Sequence, residues 1–199
     1  MMESGSYTRE APQDEASGCQ DQERVSVTVE QQDKILAFQQ SVFNDVMTNQ
    51  PGQQILDHLC HLAEQLLPNS VASLMILDEH SSVLNVLSAP SVPKDGHKAL
   101  SGLKPCPGGG SCGNAVLRNE PVFVRDTFTD ERWQDLRELA YDFNLCACWS
   151  LPVRDSNGEP IGSFALSSFE HRLPSAFHQR ILQVGADMAG LVLVRQKQE

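Results

Sequence analysis

The segment Gly108–Ala115 has the composition of a loop that could bind a ligand. Its three consecutive glycines are unfavourable inside a helix or strand because each loses much backbone entropy, but they let the backbone approach another group closely. Ser111 is a favourable N-cap residue, and a short helix can follow over residues 114–118. Free amides and the positive end of that helix would then point into the space beside the loop. The segment therefore predicts a site for a small polar or anionic molecule.

Two nucleotide-binding motifs are excluded for this segment. Its glycines have the spacing Gly-x-Gly-x-x-Gly of a dinucleotide fingerprint, which requires a strand directly before the first glycine. Pro105 and Pro107 exclude a central strand there. A phosphate loop is excluded because no Gly-Lys-Ser/Thr follows. The alternative to a pocket-lining loop is a tight connection whose glycines only allow close packing.

Cysteines are the other residues that could do chemistry, and the chain has six: Cys19, Cys60, Cys106, Cys112, Cys146 and Cys148. They are too sparse for a disulfide scaffold. The single-residue gap between Cys146 and Cys148 is poor for tetrahedral zinc, and no Cys-x-x-Cys pair occurs. Cys112 would be reactive only if a helix N-terminus lowered its pKa; otherwise it packs as a small apolar residue. The sequence assigns no metal ligand, cofactor or catalytic residue.

Composition excludes several classes of partner. The formal net charge of −11 gives the chain no electrostatic reason to bind nucleic acid or an anionic membrane. No run of eighteen apolar residues occurs, so no membrane span is expected. The N-terminus lacks the basic and apolar regions of a signal peptide. These features predict a cytoplasmic protein.

The chain divides into three parts by composition. Residues 1–28, rich in Glu, Gln, Ser, Asp and Gly, predict a disordered tail. Residues 29–51 predict an N-terminal helix suited to dimerisation, and residues 52–196 predict the folded domain. Apolar periodicity and turn residues predict helices over about 30–49, 53–67, 131–143 and 175–196, and strands over 71–77, 83–88, 121–125, 145–153 and 160–168. This order predicts an α+β domain with a largely antiparallel sheet and a helical layer built from the termini.

Several short motifs occur in the order that they have in one known family. They are Gly110-Ser-Cys-Gly-Asn-Ala-Val116, Glu120-Pro-Val122, Asp126, Thr129-Asp130-x-x-Trp133, Ala147-Cys-Trp-Ser150, Pro152 and Gly162-Ser-Phe-Ala-Leu166. The ordered set, over about residues 53–195, resembles the GAF domain family. It is most similar to the subgroup found in bacterial signalling proteins, often ahead of diguanylate cyclases or histidine kinases.

The resemblance implies a PAS-related fold with a central antiparallel sheet of five or six strands. The terminal helices would lie on one face and commonly pair with a second subunit, while loops and short helices cover the other face and close a ligand pocket. The residues it suggests for ligand binding are Gly110, Ser111, Cys112, Gly113, Asp126, Trp133, Leu136, Cys148, Trp149 and Ser150.

Three of those residues have a structural alternative. Strand alternation puts Trp149 on the opposite face from Cys148 and Ser150, and the sequence does not say which face meets the pocket. Trp133 and Trp149 could both be core residues. Asp126 could be a cap or turn residue.

The leading functional prediction is a sensory or regulatory domain in bacterial signal transduction. It would bind an unidentified small molecule, polar or anionic, and transmit the ligand state through a helical homodimer to a downstream protein or a fused output domain. One GAF branch, the free methionine-(R)-sulfoxide reductases, offers an enzymatic alternative, because Cys112-Gly113 resembles one of its redox cysteine positions. This chain lacks a cysteine some ten residues before Cys112, which that branch has. A dimerisation module without a ligand is the second alternative.

Overall fold

The computed structural model describes residues 26–197. This range contains six α-helices, one 3₁₀ helix and five strands. In chain order they are α1 (Val29–Met47), α2 (Gly52–Leu66), β1 (Ser70–Asp78), β2 (Val83–Ser88), α3 (Lys94–Leu100), α4 (Gly110–Arg118), β3 (Val122–Val124), the 3₁₀ helix (Glu131–Leu136), α5 (Arg137–Asp142), β4 (Ala147–Arg154), β5 (Pro160–Ser168) and α6 (Ala176–Gln196). None of the helices in this range is long and apolar enough to cross a membrane.

The strands form one sheet in the order β2-β1-β5-β4-β3, and each neighbouring pair is antiparallel. Buried residues follow one another along β1, β4 and β5, as expected for strands that are covered on both faces. The predicted α+β class and the antiparallel sheet of five or six strands are confirmed, with five strands.

The face that carries Trp149 packs against α1, α2 and α6. Leu74 of β1 and Phe164 of β5 point the same way and form one core with Phe38 and Ile181 of these helices. The terminal helices therefore lie on one face of the sheet, as the resemblance implied. α1 belongs to this core rather than to a separate unit, because its buried stripe of Ile35, Phe38 and Val42 contacts the rest of the helical layer.

Local hydrogen bonds fix where the long helices begin. Thr28 and Gln31 form a capping box at the start of α1, and Ser175 and His178 form one at the start of α6. Thr28, which the sequence placed at the end of the tail, is the N-cap residue of α1. Residues 1–25 lie outside the described residues.

The other face of the sheet is covered by α3, α4, the 3₁₀ helix and α5. Two predicted boundaries change here. α4 begins at Gly110 with Gly109 in the N-cap position, so Ser111 lies inside the helix rather than capping it. The predicted helix 131–143 is divided at Leu136, where the 3₁₀ helix gives way to α5. Asp130 caps the 3₁₀ helix, because its side chain accepts a hydrogen bond from the Arg132 amide.

Candidate ligand site

A glycine loop, residues 105–110, leads into α4 and is held from inside by Asn114. The Asn114 side-chain nitrogen donates to the carbonyl oxygens of Pro107 at 2.9 Å and Gly110 at 2.8 Å, and lies 3.3 Å from that of Cys106. Asn114 is fully buried. A buried amide that binds several carbonyls of one loop fixes the shape of that loop, because breaking these bonds would leave polar groups without partners.

Ser111 joins three elements of the covering layer and the sheet. The Trp133 indole nitrogen, on the 3₁₀ helix, donates to the Ser111 hydroxyl at 3.1 Å. The Ser111 hydroxyl donates in turn to the Cys148 carbonyl oxygen of β4 at 2.9 Å. Ser111 is completely buried and Trp133 is 3% exposed. Ser111 therefore clamps the 3₁₀ helix to α4 and the sheet, and its donor is already engaged.

The 3₁₀ helix packs directly on the glycine loop. A Cβ atom added to Gly110 would lie 2.8 Å from Cδ1 of Leu136, and Gly110 has a φ of +67°, so only glycine fits both the contact and the backbone. A Cβ at Gly108 would lie 2.3 Å from a carboxylate oxygen of Asp135. A negative charge therefore already lies beside the loop where the sequence predicted an anionic molecule.

The space beneath the glycine loop is small. A cavity of about 30 Å³, called here the glycine-loop cavity, is lined by residues that include Gly110, Ser111, Cys112, Trp133, Leu136 and Cys148. That volume holds about one or two water molecules and no metabolite. Six predicted site residues thus come together as expected, but around a closed space.

Two thiols meet at the wall of this cavity. The side chains of Cys112 and Cys148 are buried and lie beside each other at this wall. The neighbouring Cys148 thiol lowers the pKa of the Cys112 thiol, with smaller contributions from Ser163 and Ser150, against the opposing effect of burial. The same contact and burial raise the pKa of Cys148. Cys112 is therefore the thiol of this pair that ionises first. Within residues 26–197, no three His, Cys, Asp or Glu side chains are grouped to hold a metal ion.

The remaining predicted site residues lie elsewhere. Gly113 faces the Lys104 carbonyl oxygen, which a Cβ there would approach to 3.1 Å, and the Ser150 hydroxyl donates to the Phe164 carbonyl oxygen at 3.5 Å. Asp126 is a turn residue whose carboxylate accepts from the Phe128 amide at 2.9 Å. Trp149 lies on the helical face, where its indole nitrogen donates to the Arg172 carbonyl oxygen at 3.1 Å. Asp126 and Trp149 therefore take the structural alternatives that the sequence left open.

A much larger cavity, of about 370 Å³, lies beside the first on the same sheet face. We call it the α3 cavity because α3 and the segment before it form one wall. Ser73, Leu100, Leu145 and Ser167 line both cavities, so the two are neighbours. The ends of β1 and β5 form the floor, and Phe143, just after α5, closes the far side. This volume is within the range of small-molecule sites.

The wall formed by α3 is held by a few local contacts. The His97 side chain donates from Nε2 to the Ala89 carbonyl oxygen at 2.8 Å. Gly96 lies against Phe143, since an added Cβ would be 3.2 Å from Cε1 of that ring. No motif marks this wall in the sequence, where residues 89–110 form a loop that contains α3. The sequence feature that could have indicated the cavity is the apolar content of that loop, because Val92 and Leu100 both line the cavity.

The fold is an antiparallel sheet covered by helices on both faces, and sequence comparison identifies the family. The family model for the GAF domain matches residues 50–194, so the chain belongs to the GAF domain family. A curated relative is the methyl sulfide methyltransferase-associated sensor of Methanosarcina acetivorans, 26% identical over 161 residues. The match covers 81% of this chain but 16% of that sensor, so the chain corresponds to a small part of the relative.

Solved structures share the fold at low sequence identity. The GAF domain of a phosphoenolpyruvate-protein phosphotransferase from Coxiella burnetii matches with a TM-score of 0.67 and 18% identity, covering 83% of this chain and 96% of that one. A type II free methionine-R-sulfoxide reductase from Thermoplasma acidophilum matches with a TM-score of 0.57 and 23% identity, covering 71% and 92%. Sensory and enzymatic proteins are therefore both found with this fold, and the distinction must come from the site.

Proposed function

We propose that this chain is a sensory GAF domain that binds a small molecule in the α3 cavity and passes its occupancy to the helical layer. The observation that carries the proposal is the α3 cavity itself, about 370 Å³ of space on the covered sheet face of a domain whose curated relative is a sensor. A mostly apolar pocket of this volume is within the range of small-molecule sites.

Strand β1 offers a route from the cavity to the helices. Ser73 faces the α3 cavity, while its neighbours Ala72 and Leu74 point to the opposite face and belong to the core shared with α2 and α6. A ligand that displaces β1 would therefore press on α2, which packs against α6. Arg195, near the end of α6, donates to the Val46 carbonyl oxygen of α1 at 2.7 Å, so a shift of α6 would also reach α1. An output domain or partner protein could read that shift.

The helical layer also supports the proposal of a homodimer. Leu36, Phe43 and Met47 form an exposed stripe along α1, with exposures of 52%, 48% and 68%, and Leu191 of α6 is 45% exposed. Replacing Leu36 and Phe43 together with Glu should convert a dimer to a folded monomer in light scattering, because both residues are exposed on the single protomer and do not belong to its core. Leu117→Glu, at an exposed leucine of α4, is the matched control. A monomeric wild type, or a dimeric double variant, would contradict the dimer.

The ligand site is tested by filling the cavity. Val71, half-buried on β1, lines the α3 cavity, and Val71→Phe adds a ring there while keeping a good strand former. Native mass spectrometry and thermal-shift screening of a metabolite panel should find a molecule that binds wild type and Leu117→Phe but not Val71→Phe. A molecule that binds all three proteins equally would place the site elsewhere.

A thiol reductase is the second candidate function, favoured by the lowered pKa of Cys112. Against it, the glycine-loop cavity has no room for methionine sulfoxide, and Cys148, the thiol that Cys112 contacts, is 2% exposed. We expect no thioredoxin-dependent turnover of free methionine-(R)-sulfoxide by wild type. Turnover that disappears in Cys112→Ser would make the reductase the correct assignment.

A further inference from the structure

We infer that the α3 cavity selects an uncharged molecule with an apolar body and discriminates against carboxylates, phosphates and sulfonates. The inference rests on the proposed function and names the ligand class of the same site. It departs from the anionic ligand that the glycine loop suggested, because the cavity with room for a ligand is lined by other residues.

The wall of the α3 cavity is mostly hydrocarbon. Its aliphatic and aromatic lining comes from four directions: Val71 from the sheet, Leu100 from α3, Leu139 from α5, and Phe143, Leu145 and Phe169 from the connecting segments. An apolar molecule would bury its surface against these side chains, which is the usual source of affinity in small-molecule sites.

No cationic side chain lines this cavity among the described residues, and the one charged lining residue is Asp142, which is exposed at the rim. An anion entering the cavity would lose its hydration without gaining a positive partner, which is strongly unfavourable. Asp142 and the net charge of −11 add repulsion on approach. α3 has seven residues, too short to supply the N-terminal positive end that a longer helix would.

Polar recognition is limited to neutral groups, which are two hydroxyls on the floor and the exposed side chains of Ser91 and Asn144. Ser73 and Ser167 are 8% and 7% exposed and lie diagonally opposite each other on neighbouring strands, since Ser73 pairs with Ala165 and Val71 with Ser167. Ser91, at the rim, already donates to Glu64 at 2.6 Å. The ligand that fits is therefore apolar over most of its surface, with one or two neutral hydrogen-bonding groups such as a hydroxyl, amide or amine that is not ionised.

A pair of fluorescent probes tests this selection directly. N-phenyl-1-naphthylamine is neutral, and 8-anilinonaphthalene-1-sulfonate has the same ring system with a sulfonate added. Both are titrated into the full 199-residue chain, with Val71→Phe as the filled cavity and Leu117→Phe as the control for an added ring elsewhere. Ser167→Leu replaces Val71→Phe if the latter fails to fold, judged by its thermal unfolding transition.

We expect the neutral probe to bind wild type and Leu117→Phe at one site, and to lose at least about tenfold in affinity in Val71→Phe. The sulfonate should bind the cavity at least about tenfold more weakly than the neutral probe, because it must lose its hydration without a partner. Asp142→Asn should change that ratio by less than about threefold, since the exposed rim charge is screened by solvent.

Two other outcomes distinguish a wrong ligand class from a wrong ligand site. If both probes bind equally well and Val71→Phe weakens both, the cavity is a ligand site but the preference for uncharged molecules is wrong. If neither probe binds, or if the filled variant binds the neutral probe as wild type does, the α3 cavity is not a ligand site and the proposed function fails with the inference.

Discussion

The glycine-loop cavity and the α3 cavity lie side by side under one covering layer, yet one is about 30 Å³ and the other about 370 Å³. The first is surrounded by the motif residues and tied by buried hydrogen bonds through Asn114, Ser111 and Trp133. The second has almost no motif and is closed by apolar side chains and a short helix. The recognisable motif forms this hydrogen-bonded region, called here the clamp. The space for a ligand lies next to the clamp.

The largest expected contrast comes from truncating one apolar side chain in each region. Trp133→Ala should destabilise the protein by about 3–5 kcal/mol, because a buried ring is removed from a packed site. Leu100→Ala should cost only about 1–2 kcal/mol, because Leu100 is half-buried and already borders empty space. Urea unfolding measures both values. Equal losses at the two positions would mean that the α3 region is as tightly packed as the clamp.

A matched pair of serine substitutions gives the next contrast. Ser111→Ala should cost about 1–3 kcal/mol, because the Trp133 indole nitrogen and the Cys148 carbonyl would both be left buried without this partner. Ser73→Ala should stay within about 0.5 kcal/mol, since Ser73 faces open cavity. The same unfolding experiment applies. A nearly neutral Ser111→Ala would show that the clamp is not what closes the smaller cavity.

The smallest expected effect is on pH dependence and belongs to the helical face. Burial, with a contribution from Arg172, lowers the pKa of His178. The native state then binds fewer protons than the unfolded state, so the stability due to neutral His178 is complete above about pH 6.5 and is lost as pH falls through the native pKa. Protonation would also remove the Nδ1 acceptor of the Ser175 amide at the start of α6.

His178→Gln should therefore show a smaller loss of melting temperature between pH 7.5 and pH 5 than wild type, since glutamine can accept the same capping bond without titrating. Thermal unfolding followed by circular dichroism gives both slopes. Identical slopes for the two proteins would remove His178 from the pH dependence.

The sheet was predictable because its signals are local. Alternation and turn residues predicted β2 at its observed bounds, Val83–Ser88, and the other strands within two residues at each end. Alternation also placed Trp149 opposite Cys148, but only the packing of α6 on the Trp149 face decided which of the two meets the covering layer. That choice is a tertiary contact, and strand periodicity does not encode it.

The site was harder to predict because its properties come from distant contacts. Ser111 has the residue type of a cap, yet the partners that define its role, Trp133 and Cys148, are 22 and 37 residues away. The glycines indicated close approach correctly, but a sequence does not state whether the approaching group is a ligand or Leu136. The α3 cavity exists because no side chain of the chain fills it. Its lining residues come from several distant segments and share no motif in the sequence.

The most direct test of the account is hydrogen–deuterium exchange with and without N-phenyl-1-naphthylamine. A ligand bound under α3 should slow exchange in peptides from residues 91–103 and from residues 143–146, because both segments line the α3 cavity. Exchange should stay unchanged in peptides from α4. Protection confined to residues 108–118, with none in α3, would place the ligand at the glycine loop and contradict the account.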